Sequence, residues 1–431
     1  MTAGLDTRTV RIPIDVGTPS PPEPPLWAAR GKRIVTARRS KIRYRVVEIQ
    51  DIGTAFERIL SYYQPRVRPN EGPRFKSFKS SDHVFVFRIL TNDLIFDPIF
   101  DVCSPATFLL FSRTCRIAYT AVHSYIKRAF NINRHLSQYF HDPLAFRSLQ
   151  ARTSTLVSGS SALQFFNRLT YDDSDLDIYV PLKSRQEVGR WILGQGYTFK
   201  PNSVQHKDLD VALEEVHNDL NVYYTLSGVS SVFTFKKRSE HDPGRELQVQ
   251  VIVASQAPME VILNFHSSVV LNVIAWDAAY SLYPHATFER RLSLFLLGRK
   301  RDESAIQKYE NRGWKMLYDI PLRDPTHVSP DFTFAPRWIG DGHSWTIRLP
   351  TEGIVLPSGA NEHSAALTRD PCIATDWQLT GSQTIPEIWC TVVKHPNFRY
   401  MYVTARRRLL HEIWDSQIRV GTAEDTEERK T

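Results

Sequence analysis

Between Thr153 and Val180 the chain reads T-S-T-L-V-S-G-S-S-A-L-Q-F-F-N-R-L-T-Y-D-D-S-D-L-D-I-Y-V, and no other stretch limits its fold as tightly. Thr155, Leu156 and Val157 form a short apolar run of strand type that enters Ser158-Gly159-Ser160 directly, and Ala162 to Phe166 then reads as the first turns of a helix. A strand, a tight turn and a helix N-terminus follow one another within a dozen or so residues. Gly159 has no Cβ, so a phosphate can approach the backbone there, where the free N–H groups of the first helical turn and the Ser160 hydroxyl can donate to its oxygens. Ser158, Gly159 and Ser160 are the candidate phosphate-binding residues.

Asp175-Leu176-Asp177-Ile178-Tyr179-Val180 alternates acidic with apolar and closes in an apolar run, the period of a strand buried on one face. Leu176 and Ile178 turn to the core, which leaves the carboxylates of Asp175 and Asp177 together on the other side. Two adjacent carboxylates repel unless a cation lies between them. Mg²⁺, or Mn²⁺ in its place, suits such a pair because it takes hard oxygen ligands and is usually completed by water and substrate phosphates.

Val157, Ser158, Gly159 and Ser160, followed after a spacer of 14 residues by Asp175, Leu176 and Asp177, resemble the signature of the nucleotidyltransferase superfamily, the polymerase-β-like fold. The resemblance implies that Asp175 and Asp177 are catalytic as well as metal-binding, with a nucleoside triphosphate as substrate or ligand and a nucleotidyl group passed to an acceptor hydroxyl. It also implies a third acidic residue on a later strand. The strand that fits is Glu246 to Val253, where Gln250 takes that place. An amide is a weaker ligand than a carboxylate and cannot serve as a base. Asp173 and Glu246 are the nearest substitutes in the sequence. Two readings therefore stand side by side: an active nucleotidyltransferase, and a non-catalytic protein that uses the same fold as a binding platform.

The 431 residues are 42% apolar and 11% aromatic, enough for several packed cores. Residues 1 to 80 form a Pro-rich, basic arm expected to be mostly disordered, with one short helix in the scattered apolar periodicity between Val46 and Leu60. Over residues 81 to 140, Thr91 to Phe100, Ser104 to Arg116 and a run through Ala118, Val122, Ile126 and Phe130 predict three short helices, the second opened by Ser104-Pro105. Leu94, Ile95, Ile99 and Phe100, with Pro105 through Arg116, resemble an F-box. That likeness implies docking onto the adaptor subunit of a ubiquitin ligase through residues 89 to 130.

Residues 141 to 320 carry the motif. They predict helices at Ser184 to Leu193 and Thr287 to Leu297, and strands near Asn221 to Leu226, Ser231 to Phe235 and Glu246 to Val253. Lys308 and Arg312 are the cations placed to reach a triphosphate, and His266 reads either as a pocket residue or as a structural histidine. Residues 321 to 431 hold two Trp-containing strand patterns, Arg337 to Leu349 and Glu387 to Val393, then a closing helix at about Val403 to Gln417. The whole is an α+β protein: a nucleotidyltransferase-like mixed sheet with flanking helices, preceded by a small helical F-box-like module and followed by a strand-containing C-terminal region. Residues 89 to 320 resemble uncharacterised fungal proteins that pair these two modules.

Cys103, Cys115, Cys372 and Cys390 are too widely spaced for a zinc site or a disulfide framework. The formal charge of +8 favours anionic partners and permits nucleic acid. No run of about 18 apolar residues occurs and the N-terminus has no apolar core of a secretory signal, so an intracellular protein, cytoplasmic or nuclear and without a membrane contact, is expected.

Overall fold

The structure, a computed structural model, describes residues 8–13, 44–49, 86–171, 174–216, 228–239, 242, 244–296, 303–320, 331–356, 372, 375–381, 386–393 and 401–405. The chain divides into two units, Met1–Asn131 and Ile132–Thr431.

In the first unit, β1 (Arg8–Pro13) and β2 (Tyr44–Ile49) pair antiparallel, Arg8 opposite Ile49 and Pro13 opposite Tyr44. The helix expected from Val46 thus gives way at its start to a strand, in keeping with the β-branched Val46, Val47 and Ile49. The rest of the arm and the remainder of that helix lie outside the described residues. Three helices follow as their sequence signals indicate: α1 (Asp93–Val102), α2 (Pro105–Phe111) and α3 (Arg116–Ala129). Asn92 caps α1 by accepting from the Leu94 N–H at 3.1 Å, and Ser104 caps α2 with Pro105 at the first helical position. Their core is aromatic. Phe100 and Phe108 meet Tyr125 edge-on at 5.4 and 5.7 Å, while the Tyr125 hydroxyl donates to Asp101 at 2.7 Å. Arg128 clamps Asp97 with two hydrogen bonds of 2.8 and 2.7 Å, tying α3 to α1. Phe96 and Phe100 turn inward, whereas Leu94 and Val102 are 84% and 86% exposed and Ile95 and Ile99 are also exposed.

The second unit is mixed α and β around one large sheet. In chain order its elements are α4 (Ile132–Leu136), α5 (Pro143–Thr153), β3 (Leu156–Ser158), α6 (Gly159–Asn167), β4 (Leu176–Pro181), α7 (Arg185–Gly194), β5 (Thr198–Lys200), α8 (Leu209–Glu214), β6 (Val229–Arg238), β7 (Glu246–Ala254), α9 (Pro258–Leu263), β8 (Asn272–Ile274), β9 (Ala278–Ser281), β10 (Leu292–Leu294), α10 (Glu303–Asn311), β11 (Lys315–Leu317), β12 (Arg337–Trp338), β13 (Trp345–Arg348), β14 (Asp376–Thr380), β15 (Glu387–Trp389), β16 (Thr391–Val393) and β17 (Tyr402–Thr404). Eight strands join in the order β13-β9-β8-β3-β4-β7-β6-β5. β4 and β7 run parallel and the other neighbours antiparallel, which makes the sheet mixed. α6, α7 and α9 pack on its central strands. Leu247, Val249, Val251 and Val253 of β7 are buried, as are Leu176 and Ile178 of β4, so the alternation in each strand does set its inner face.

Two expected helices are not formed as read. Residues 287 to 297 split into a single wide turn at His285–Glu289 and strand β10, which pairs parallel with β11. Arg291 between them has φ +50°, which no continuing helix tolerates, and Leu292 and Leu294 then face alike as a strand requires. Val403 and Thr404, expected to open a closing helix, belong to β17, paired antiparallel with β16. Both are β-branched. Residues 406–431 lie outside the described residues, as does the segment Asn221–Leu226.

Candidate functional site

The tight turn and the two carboxylates meet at the end of the central strands. β3 and β4 pair so that Ser158 stands opposite Asp177, and β4 and β7 pair so that Asp177 stands opposite Gln250. Gly159, the first residue of α6, has φ +69°. A Cβ on it would stand 2.4 Å from Asp177 Oδ2. Only glycine fits both the left-handed backbone and the approach of the carboxylate.

The serines on either side are spent on the protein. The Ser158 hydroxyl is buried and donates to the Asn272 carbonyl at 2.6 Å. The Ser160 hydroxyl is 2.8 Å from that of Ser174, to which the Gln164 amide also donates. This small buried network fastens the loop before β4 to the first turn of α6. Donors for an incoming anion are therefore the N–H groups at the start of α6, which have no partner within the helix.

The two carboxylates share a face but not an environment. Asp175 Oδ2 accepts from the side-chain amides of Gln248 at 2.7 Å and Gln250 at 3.2 Å. Burial raises its pKa, and those amides with the Lys308 charge pull it back. Among the described residues none donates a hydrogen bond to Asp177. Burial, reinforced by the negative charge of Asp175 and only partly offset by Lys308, lifts its pKa to about 7. An acceptor held beside another carboxylate with no donor has the electrostatics of a cation site, and Asp175 and Asp177 are the residues that can hold Mg²⁺ or Mn²⁺. Among the described residues no group of three His, Cys, Asp or Glu surrounds such a position.

Gln250 lies where the resemblance implies a third carboxylate, and it donates to Asp175 rather than offering a negative charge. Glu246 is exposed and pairs with Lys236 at 2.6 Å. Asp173 lies outside the described residues.

The wall of the site comes from distant parts of the chain. From α10, Lys308 is exposed and acts on both aspartates, while Tyr309 beside it is buried and senses the charge of Asp177. The Tyr139 hydroxyl donates to the Ser174 carbonyl at 3.1 Å. Burial pushes the pKa of Tyr139 up to about 12, against the nearby charge of Arg245. Arg312 does not stand over the carboxylates: its guanidinium lies 3.8 Å above the Tyr171 ring. His266 stands 6.0 Å from Tyr309, ring to ring. Sequence reasoning missed Tyr139, Tyr171 and Tyr309. Gln248 was legible from the β7 alternation, since it shares a face with Gln250. The tyrosines carried no spacing signal.

No protein-family model matches the chain, and no curated protein or solved structure does so either.

Proposed function

We propose that the Ile132–Thr431 unit binds a nucleoside triphosphate together with Mg²⁺ or Mn²⁺ and works as a nucleotidyltransferase-like protein. The observation that carries this reading is the convergence of Gly159 at the start of α6 with two carboxylates, one of them without a hydrogen-bond donor among the described residues and titrating near 7. Asp175 and Asp177 would hold the ion, which when bound supplies charge neutralisation to both carboxylates and phosphate oxygens. The N–H groups of α6 receive phosphate oxygens at a helix N-terminus. Lys308, without an acidic partner among the described residues and near both aspartates, adds a positive charge for the triphosphate. With an acceptor hydroxyl aligned for in-line attack on the α-phosphate, the new O–P bond forms as the α–β phosphoanhydride bond breaks, pyrophosphate leaves and the hydroxyl proton passes to water, so that a nucleotidyl group is transferred.

One observation favours a second reading. The amides of Gln248 and Gln250 converge on Asp175, and neither can take a proton from an acceptor hydroxyl. In that reading the site binds nucleotide without transfer. The α1 to α3 module then acts as an F-box-type adaptor, offering the apolar Leu94, Ile95, Ile99 and Val102 that α1 leaves exposed.

Thermal unfolding with a panel of nucleoside triphosphates, with and without Mg²⁺ or Mn²⁺, tests the first reading. A ligand at about 100 times its Kd adds roughly 2.7 kcal/mol, a shift of a few degrees in Tm. Stabilisation should require the metal and vanish in Asp177→Asn. The absence of a shift with every nucleotide refutes it. Incorporation of labelled nucleotide into an acceptor then separates transfer from binding alone.

A further inference from the structure

Around Tyr309 and Trp314, two guanidiniums are packed onto aromatic rings and have no acidic partner among the described residues. Arg312 lies 3.8 Å over Tyr171 and 5.8 Å from the ring of Tyr309. Tyr309 meets Trp314 edge-on at 6.5 Å, and Arg291 lies 4.8 Å over Trp314. Tyr171, Arg312, Tyr309, Trp314 and Arg291 thus form a continuous ladder, with Tyr309 at the edge of the Asp177 environment.

Stacking occupies the face of a guanidinium and leaves its N–H groups, which lie in the guanidinium plane, for hydrogen bonds. Arg312 Nη1 is shielded from water and has no hydrogen-bond partner among the described residues. A buried donor in that state is costly, and a charged one more so, unless a ligand accepts its hydrogen bond. Arg291 and Arg312 both act on the Tyr171 hydroxyl, and Arg168 adds a third positive charge near Arg291. The Arg168 and Arg291 charges repel each other until an anion arrives. The planar fork of arginine matches two oxygens of one phosphate group.

We propose that Arg291 and Arg312 form a phosphate-binding subsite beside the Asp175 and Asp177 centre, held in place by Tyr171, Tyr309 and Trp314. The phosphate comes either from the tail of the nucleoside triphosphate or from a phosphorylated acceptor. That it belongs to a nucleotide reaction rests on the function proposed above; that the two guanidiniums take phosphate does not.

Calorimetric titration of the full chain separates these points. With metal removed by EDTA, inorganic tripolyphosphate should bind the wild type, and Arg312→Gln and Arg291→Gln should each weaken it by about tenfold, the loss of one charge-assisted contact. Arg312→Lys should recover only part of the loss, because it restores charge without the planar fork. Arg291 is exposed, so its variant keeps the test valid if Arg312→Gln does not fold. Failure of the wild type to bind tripolyphosphate, or unchanged affinity in both glutamine variants, overturns the proposal. If the variants also weaken Mg²⁺–ATP, the phosphate is the donor's. If they weaken only a 5′-phosphorylated oligonucleotide relative to its 5′-hydroxyl form, it is the acceptor's. Asp177→Asn should bind metal-free tripolyphosphate at least as well as the wild type while losing the metal-dependent nucleotide response, so the two proposals fail separately.

Discussion

Replacing Asp177 by asparagine should stabilise the metal-free protein above pH 7 and, at the same time, abolish its stabilisation by Mg²⁺ with nucleotide. The carboxylate titrates near 7 in the fold against 3.8 in an open chain, a gap of about three units. At about 1.36 kcal/mol per unit, the ceiling is about 4 kcal/mol, and residual access of water lowers the expected effect to roughly 2 kcal/mol. Between pH 4 and 7 the native state holds a proton that the unfolded chain has released. Stability therefore falls as pH rises through this window and levels off above it. Asparagine has no such titration. Urea unfolding in EDTA, followed by tryptophan fluorescence from pH 4.5 to 8.5, should show the two proteins converging at the acidic end and the variant ahead by about 2 kcal/mol at pH 8. Millimolar Mg²⁺ should close that gap by stabilising only the wild type. A variant that is less stable than the wild type in EDTA at pH 8 would show that Asp177 has a donor or cation from the chain itself, and the metal argument would fall with it.

Gly159→Ala forces a side chain into a left-handed conformation and against Asp177 Oδ2, so it should cost about 1–2 kcal/mol in urea and remove the nucleotide-dependent Tm shift. Gln250→Glu places a third carboxylate beside Asp175 and Asp177: the metal-free protein should lose about 1–2 kcal/mol at pH 8, and added Mn²⁺ should raise Tm more steeply than in the wild type. Asp341→Asn breaks a buried pair with Arg337, whose Nε donates to Asp341 at 2.5 Å, and should cost about 3–5 kcal/mol at pH 7 in urea unfolding. Burial alone would raise the Asp341 pKa, but Arg337, Ser344 and the His343 N–H together hold it below the usual value, so the pair's contribution is present above pH 4 and lost as pH falls through that lowered value. Val102→Asp on the exposed face of α1 should change stability by less than about 0.5 kcal/mol; if α1 docks an adaptor subunit, binding of that purified subunit should be lost.

Short-range signals were readable in the sequence because their physics is local. The Ser158-Gly159-Ser160 turn, the alternation of β4 and β7 and the capped helices α1 and α2 depend on dihedral preference, side-chain period and nearby donors. On the same grounds Asp175 and Asp177 share a side; β4 starts one residue later than the alternation indicates, at Leu176, with Asp175 just ahead of it and still turned to Gln248 and Gln250. Residues 287 to 297 show where local reading fails: their apolar content suited a helix, but pairing of β10 with β11, more than 20 residues away, set them as a strand. Which groups surround the carboxylates was likewise beyond the sequence. Gln248 and Gln250 reach Asp175 only because β7 pairs in parallel beside β4, across some 70 residues of intervening chain. Lys308 and Tyr309 come from still further along. The motif by itself determined the turn and the pair of acids; tertiary structure decided that the serine hydroxyls bond to the protein, that Asp177 has no described donor and that Arg312 stacks on Tyr171, because burial and charge at a site are sums over neighbours that only the folded chain brings together.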